Sequence, residues 1–331
     1  MRVLVGMSGG LDSTCAARIM MEKGDRVEGA LLVFSDATDK GDALRASELL
    51  GIPLNIIDVR EAFSREVIDR FCFEYLRART PNPCVFCNPT VKFASLCAFA
   101  RENGFDAVAT GHYAGIGYEN GRYFVREAAD AKKDQSYMLA RLTQEQLSMI
   151  RFPLESANKE DLRALFPDFD RPESEDICFI ESLSAGDFVE ARAGKSKIGD
   201  FILDGKRTAK HKGIAHYTVG QRKNLGIAAG ERVYIEKIDA ECGDIRLIRE
   251  APKVGAVRVS DLCFQAYGED FTQGELDVRL RYHAKRERAK VVIKDGVAAA
   301  AFDSPVGFCA PGQSAVFYDG DKVAFCGTIE E

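Results

Sequence analysis

Several common features are missing from this 331-residue sequence, and each absence narrows the reading. No run of about 18 apolar residues occurs, so no transmembrane helix and no membrane partner are expected. The opening Met1-Arg2-Val3-Leu4-Val5-Gly6 is too short an apolar stretch for a signal peptide and runs straight into a Gly-rich turn. The chain is therefore expected in the cytoplasm. No internal repeat and no low-complexity linker is found. The first Gly-rich loop has no Walker A lysine. Only one CxxC is present, which excludes a zinc ribbon built from two. A disulfide framework is not expected either, despite ten cysteines, because cytosolic thiols are kept reduced.

Hydrophobic residues make up 46% and charged residues 29%, as in an ordinary soluble protein, and the length allows two or three domains. The net charge of −6 speaks against a nucleic-acid partner, but a net value hides distribution. Six Lys/Arg (Lys206, Arg207, Lys210, Lys212, Arg222, Lys223) occur with no acid between them. Five more, Arg281, Lys285, Arg286, Arg288 and Lys290, are interrupted only by Glu287. Two basic patches on an acidic chain suggest a local polyanion footprint. Solvated surface is the plain alternative for either patch alone.

The first 110 or so residues alternate strand and helix patterns. Strands are expected at Arg2–Gly6, 27–34, 54–59 and 105–110, with helices over 11–22, 42–50, 61–77 and 90–102. Continuous apolar strands alternating with helices predict an α/β fold, a parallel sheet covered by helices on both faces. Ligands of such sheets lie at the carboxyl ends of the strands. The Gly-rich loop and Thr110-Gly111-His112 both fall there. Asn120-Gly121 marks a hairpin, and Asn158 is a plausible helix N-cap. From about residue 195 strand signals dominate, punctuated by Asp204-Gly205, Asp295-Gly296 and Asp319-Gly320, which suggests small β-barrels.

Gly6-Met7-Ser8-Gly9-Gly10-Leu11-Asp12-Ser13 joins the first strand to the first helix. Glycines admit phosphate oxygens close to the backbone, and the helix's free N–H groups hold the anion. Asp12 within such a loop would repel phosphates unless a metal ion bridges them, so Mg2+ is implied. SGGxDS in this position resembles the PP-loop of ATP pyrophosphatases, which implies cleavage of ATP between its α and β phosphates.

Cys84-Val85-Phe86-Cys87 is expected in a Pro-rich loop between two helices. A CxxC suits metal ligation, a redox pair, or a nucleophile with a helper. A zinc site using Cys84, Cys87, Cys178 and a fourth ligand stays open. Cys15, Cys72 and Cys97 fall in helical patterns, and Cys242, Cys263, Cys309 and Cys326 in the β region. These read as ordinary core or surface residues.

Several segments together resemble the tRNA-specific 2-thiouridylase family, which replaces O2 of the wobble uridine with sulfur. They are GMSGGLDS at 6–13, ARTPNPCVFCNPTVKF at 78–93, ATGHY at 109–113, KDQSYML at 133–139 and ICFI at 177–180. HYTVGQRKNLGI at 216–227, RLRY at 279–282 and APGQSAVFY at 310–318 follow, in family order over nearly the whole chain. The resemblance implies a PP-loop domain over 1–184, a small central β domain over 185–250 and a C-terminal β-barrel over 251–331. It implies that Gly6, Met7, Ser8, Gly9, Gly10, Leu11, Asp12 and Ser13 bind ATP, with Leu32 and Gly111 at the adenine. Asn82, Pro83 and Cys84 would meet the target base. Lys133, Asp134, Gln135, Arg281 and Tyr282 would contact tRNA. Cys87 would be the nucleophile and Cys178 the persulfide carrier, fed by a persulfide or sulfide donor.

Two departures from the family pattern stand out. Cys84 replaces an Asp, so Cys84, Cys87 and Cys178 would form the ligand set of a [4Fe–4S] cluster with one open iron. The stretch 35–42 is short and lacks the family's Asn-Trp pair; the whole chain has no Trp. The rival readings are a PP-loop ligase acting on a small molecule, and a zinc-containing RNA-binding module. The TPNP-CxxC loop and the basic β region argue against the first, and the intact PP-loop against the second. A DNA partner is not expected.

Overall fold

A computed structural model describes residues 1–166, 169, 177–180, 182–227 and 232–330. Its first unit is a five-stranded sheet in the order β3-β2-β1-β4-β7. These strands are β1 (Arg2–Gly6), β2 (Arg26–Val33), β3 (Leu54–Asp58), β4 (Ala107–Ala109) and β7 (Ile150–Arg151), and every pairing among them is parallel. Side chains of β1 alternate between faces, as a pleated strand requires. Val3 and Val5 pack with Leu11, Cys15 and Met20 of α1 (Leu11–Glu22). Leu4 joins Phe63, Val67, Leu96 and Cys97 on the opposite face. Both faces are thus covered by helices, as the apolar strands predict.

Between β2 and β3 runs α2 (Gly41–Leu50), stopped by Gly51 in the left-handed conformation. The helix α3 covers 60–76, and α4 covers 83–102. The second corrects the expected loop around the CxxC: Cys84 and Cys87 lie on a helix. The prolines misled because Pro83 sits at the first helical position, where no N–H is needed, and Asn82 caps it by accepting from the Cys84 N–H at 3.1 Å. Pro89 is carried in a π-type turn, Asn88–Lys92.

Asn120 (φ 49°) and Gly121 (φ 78°) turn the hairpin of β5 (Gly115–Glu119) and β6 (Arg122–Arg126). Thr143 and Asn158 cap α5 (Gln144–Met149) and α6 (Lys159–Leu165). After α7 (Ala185–Ala193), a four-stranded sheet follows in the order β10-β11-β8-β9. Its strands are β8 (Asp200–Leu203), β9 (Lys206–Lys210), β10 (Tyr234–Ile238) and β11 (Ile245–Ile248).

The last unit is a closed six-stranded barrel. It runs β12 (Lys253–Phe264), β15 (Val297–Gly307), β14 (Glu287–Lys294), β13 (Gln273–Arg279), β16 (Ser314–Asp319), β17 (Lys322–Ile329), and β12–β17 pairing closes it. Asp204-Gly205, Asp295-Gly296 and Asp319-Gly320 each lie at a hairpin turn as expected.

The barrel is welded to the first unit. Val316, Tyr318, Val323 and Cys326 share a core with Leu139 and Tyr137. A polar seam runs beside it. Asp134 accepts from the Ser136 hydroxyl at 2.8 Å and pairs with Arg279 at 3.0 Å, and Arg279 also reaches Glu127 at 3.1 Å. The Asp134 side chain is 1% exposed, so removing its cation strands a buried charge. Arg279→Met is expected to cost about 3 kcal/mol in urea unfolding. A loss below about 1 kcal/mol would show that water reaches the carboxylate.

Candidate nucleotide and thiol site

The glycines of the phosphate loop are required by backbone packing. Gly9 has φ +81°, and a Cβ there would lie 2.4 Å from the Ala43 main-chain nitrogen, so the loop rests on the first turn of α2. Gly111 presses on the loop from the end of β4. A Cβ at Gly111 would lie 2.6 Å from the Asp12 carbonyl carbon and 2.8 Å from the Ser13 nitrogen. Gly10 differs, since its nearest neighbour would be the Ser8 hydroxyl at 3.7 Å. The hydroxyls of Ser13 and Thr14 donate to the Gly10 carbonyl at 2.9 and 3.0 Å, closing the first turn of α1.

Beside the loop is a cavity of about 250 Å³. Of the loop residues, Gly6, Met7, Ser8, Asp12 and Ser13 line it, together with Leu32 and Gly111. Leu11 does not, because it is buried in the core under α1. Ala30, Leu31, Leu32 and Phe34 give one wall an apolar character suited to a purine ring. Asp12 is held from behind: its Oδ1 accepts from the Tyr113 hydroxyl at 2.8 Å, and its Oδ2 lies 3.5 Å from Lys159 Nζ. A carboxylate at the mouth of a phosphate-sized loop fits Mg2+, which takes one or two carboxylates plus substrate phosphates.

Thr110 and His112, expected at the ligand end of the sheet, line this cavity, and sequence reasoning missed Phe34 and Lys92 there. The signal for Lys92 was its place in TVKF, close after the CxxC. Gln135, expected at tRNA, also lines the cavity, and its Oε1 accepts from the Tyr113 N–H at 3.0 Å.

The thiols gather next to this cavity. Cys84 and Cys87 are one helical turn apart, and Cys178 interacts electrostatically with both. The turn carrying Cys178 is anchored by Phe179, whose ring stands 5.3 Å from Phe71, 5.8 Å from Phe63 and 5.3 Å from Phe188. Cys84 and Cys178 are exposed in a concave region whose walls still desolvate them. Burial pushes the Cys87 thiol up to about 12 and raises the other two, while Lys92 opposes the shift at all three. Among the described residues, no three Cys, His, Asp or Glu side chains stand close enough to hold a metal ion. As placed, the thiols do not form a site for a single zinc ion.

The residues expected at tRNA are distributed unevenly. Asn82 serves as a cap and Pro83 is buried, which leaves Cys84 as the exposed member of that triplet. Lys133 is half-buried, while Asp134 turns inward to the barrel. Arg281 is exposed, and the Tyr282 ring lies 6.0 Å from that of Tyr137. The basic patches are partly neutralised. Arg207 and Lys210 pair with Asp200, Arg286 with Glu127, Arg288 with Asp277 and Lys290 with Asp303. Lys206, Lys212, Arg222, Lys223, Arg281 and Lys285 have no ion pair among the described residues.

Three family models match the chain in succession. They are described as a tRNA methyl transferase HUP domain over residues 1–182, a tRNA methyl transferase PRC-barrel domain over 186–248, and an aminomethyltransferase beta-barrel domain over 255–329. The tRNA-specific 2-thiouridylase MnmA of Acetivibrio thermocellus is 38% identical, with 99% of each chain covered. That of Carboxydothermus hydrogenoformans is 38% identical over 100% of this chain and 98% of its own. The enzyme of the same name from Treponema denticola is also 38% identical, over 100% of this chain and 98% of its own. With the phosphate loop, the thiols and both β units in place along its full length, the chain belongs to the tRNA-specific 2-thiouridylase family of sulfurtransferase enzymes.

Proposed function

We propose that the protein is an ATP-dependent tRNA 2-thiouridine synthase acting on the wobble uridine, U34, of the anticodon. The observation that carries this reading is a shared residue: Lys92 lines the nucleotide cavity and acts electrostatically on all three thiols. The loop Gly6 to Ser13, anchored in the core by Leu11, holds ATP with Leu32 and Gly111, and Asp12 carries Mg2+, which neutralises the phosphates. Cys84 meets the base, held in place by the Asn82 cap and Pro83. Lys133, Asp134, Gln135, Arg281 and Tyr282 make or support the tRNA contacts. The chain works as three units divided near residues 184 and 250, the two β units presenting the unpaired cations to tRNA phosphates, which position a substrate that base contacts select.

Uridine O2 attacks the α-phosphate and pyrophosphate leaves. A persulfide sulfur on Cys178, received as sulfane sulfur from a persulfide donor, then attacks C2. The C2–O bond breaks and its electron pair departs on AMP. The Cys87 thiolate next attacks the Cys178 sulfur, which frees the thiouridine sulfur and leaves a Cys87–Cys178 disulfide for an external thiol to reduce. Methyl transfer, the activity in the family-model descriptions, needs neither a carboxylate-bearing phosphate loop nor paired thiols.

Asp12→Ala is expected to lower tRNA-dependent pyrophosphate release at least ~100-fold, the scale of losing one electrostatic anchor of a transition state. A colorimetric pyrophosphate assay with an unmodified tRNA transcript checks it. Release within threefold of the parent protein would overturn the role of the loop.

A further inference from the structure

The nucleotide and thiol sides of the site meet at a lysine placed by an unusual helical turn. Lys92 ends the π-type turn Asn88–Lys92 of α4. Such a turn inserts a residue into the helix, re-aims the side chains that follow, and occurs often at functional sites. Here neighbours hold it. Asn88 Nδ2 donates to the Met138 carbonyl at 2.8 Å, Gln146 Nε2 to the Pro89 carbonyl at 2.7 Å, and the Thr90 hydroxyl to the Phe86 carbonyl at 2.7 Å.

The turn delivers Lys92 to the cavity wall, where its Nζ lies 3.4 Å from His112 Nε2. His112 Nδ1 lies 2.6 Å from the Thr110 hydroxyl oxygen. The ring is packed between Phe93 and Phe152, and burial with Lys92 alongside holds it neutral. A neutral imidazole facing an ammonium through Nε2 carries its proton on Nδ1. Nδ1–H therefore donates to Thr110, and Nε2 accepts from Lys92. An ammonium has three donors, so two remain for a ligand or neighbour.

We propose that Lys92 is a further catalytic residue: its ammonium, aimed by His112 and Thr110, grips the adenylyl phosphate at the junction between the cavity and the thiols. The inference rests on the thiouridine-synthase reading. The phosphate loop holds the pyrophosphate end of ATP, so the phosphorus attacked by O2 must lie toward the thiols, on the wall Lys92 occupies. When sulfur displaces AMP, the electron pair of the broken C2–O bond moves onto the departing phosphate oxygen. Lys92 donates a hydrogen bond to that phosphate and forms no covalent bond.

The test uses the full chain with ATP, an unmodified U34-containing tRNA transcript, glutathione persulfide as sulfur source and a thiol to reduce the disulfide. Lys92→Met is expected to cut kcat for tRNA-dependent AMP release ~100-fold or more. ATP affinity measured calorimetrically without tRNA should change less than ~10-fold, because the phosphate loop is intact. Lys92→Arg should recover at least a tenth of the parent kcat, and His112→Leu, which unseats the lysine, should fall between them. If Lys92→Met does not fold, Lys92→Arg and His112→Leu carry the test through the same kcat ordering. A Lys92→Met kcat within threefold of the parent, or a loss confined to KM for ATP, overturns the proposal. Failure of the parent protein to thiolate tRNA would overturn the broader reading instead. The Lys92 effect on AMP release would then still be read with whichever acceptor the parent adenylates.

Discussion

Gly111→Ala is expected to abolish ATP binding and to destabilise the first unit together. The added methyl would sit 2.6 Å from the Asp12 carbonyl carbon and 2.8 Å from the Ser13 nitrogen. Both are main-chain atoms at the start of α1, so no side chain can swing aside. Either β4 or the phosphate loop must move, and the loop's amides are then no longer aimed at one point. We expect ATP affinity to fall at least ~100-fold by calorimetry, with a loss of about 1–3 kcal/mol in stability from overpacking. Gly10→Ala is the informative contrast. Its Cβ meets nothing nearer than the Ser8 hydroxyl at 3.7 Å, so folding should be unaffected. ATP affinity should still drop, because the methyl occupies space the phosphate needs. Equal, small effects from the two substitutions would mean that the nucleotide does not approach this backbone.

Cys178→Ser and Cys87→Ser are expected to separate the two halves of the reaction. Each should lower thiouridine formation at least ~1,000-fold, the scale of removing a covalent nucleophile. Each should leave ATP binding near the parent value, because neither residue lines the cavity. Thiouridine is read by mass spectrometry of digested tRNA. Cys84→Asp restores the acid usual in the family and should retain activity if sulfur travels through a Cys178 persulfide. Loss of activity in Cys84→Asp, with about four irons per chain and absorption near ~400 nm in the anaerobically purified parent, would assign the three thiols to a cluster instead.

Much of the fold was legible because its signals are local. The apolar runs of β1 and β2, the Gly51 stop and the Asp-Gly and Asn-Gly turns each declare themselves within a few residues. The CxxC helix was misread for the same reason. Pro83 and Pro89 look like breakers until one sees Pro83 at the first helical position and Pro89 inside a π turn braced by Gln146. That bracing residue is 57 positions away in sequence, and no local pattern reports it. Gln135 and Asp134 show the other kind of blindness. Adjacent in one motif, they point to different places, Gln135 into the nucleotide cavity and Asp134 to Arg279 of the barrel.

The chain's own residues dictated the strand–loop–helix that binds phosphate, because a glycine-rich turn ahead of a helix is a backbone property needing no distant partner. They also dictated that a carboxylate and several thiols must be accommodated. Only the tertiary structure decided what those groups face. Gly111 closes on Asp12 across 99 residues, Tyr113 and Lys159 hold its carboxylate, and Lys92 is carried to the cavity wall, where it also acts on the thiols. Distances across a folded chain are set by packing of whole elements, and packing is a sum over many weak contacts that no short motif encodes.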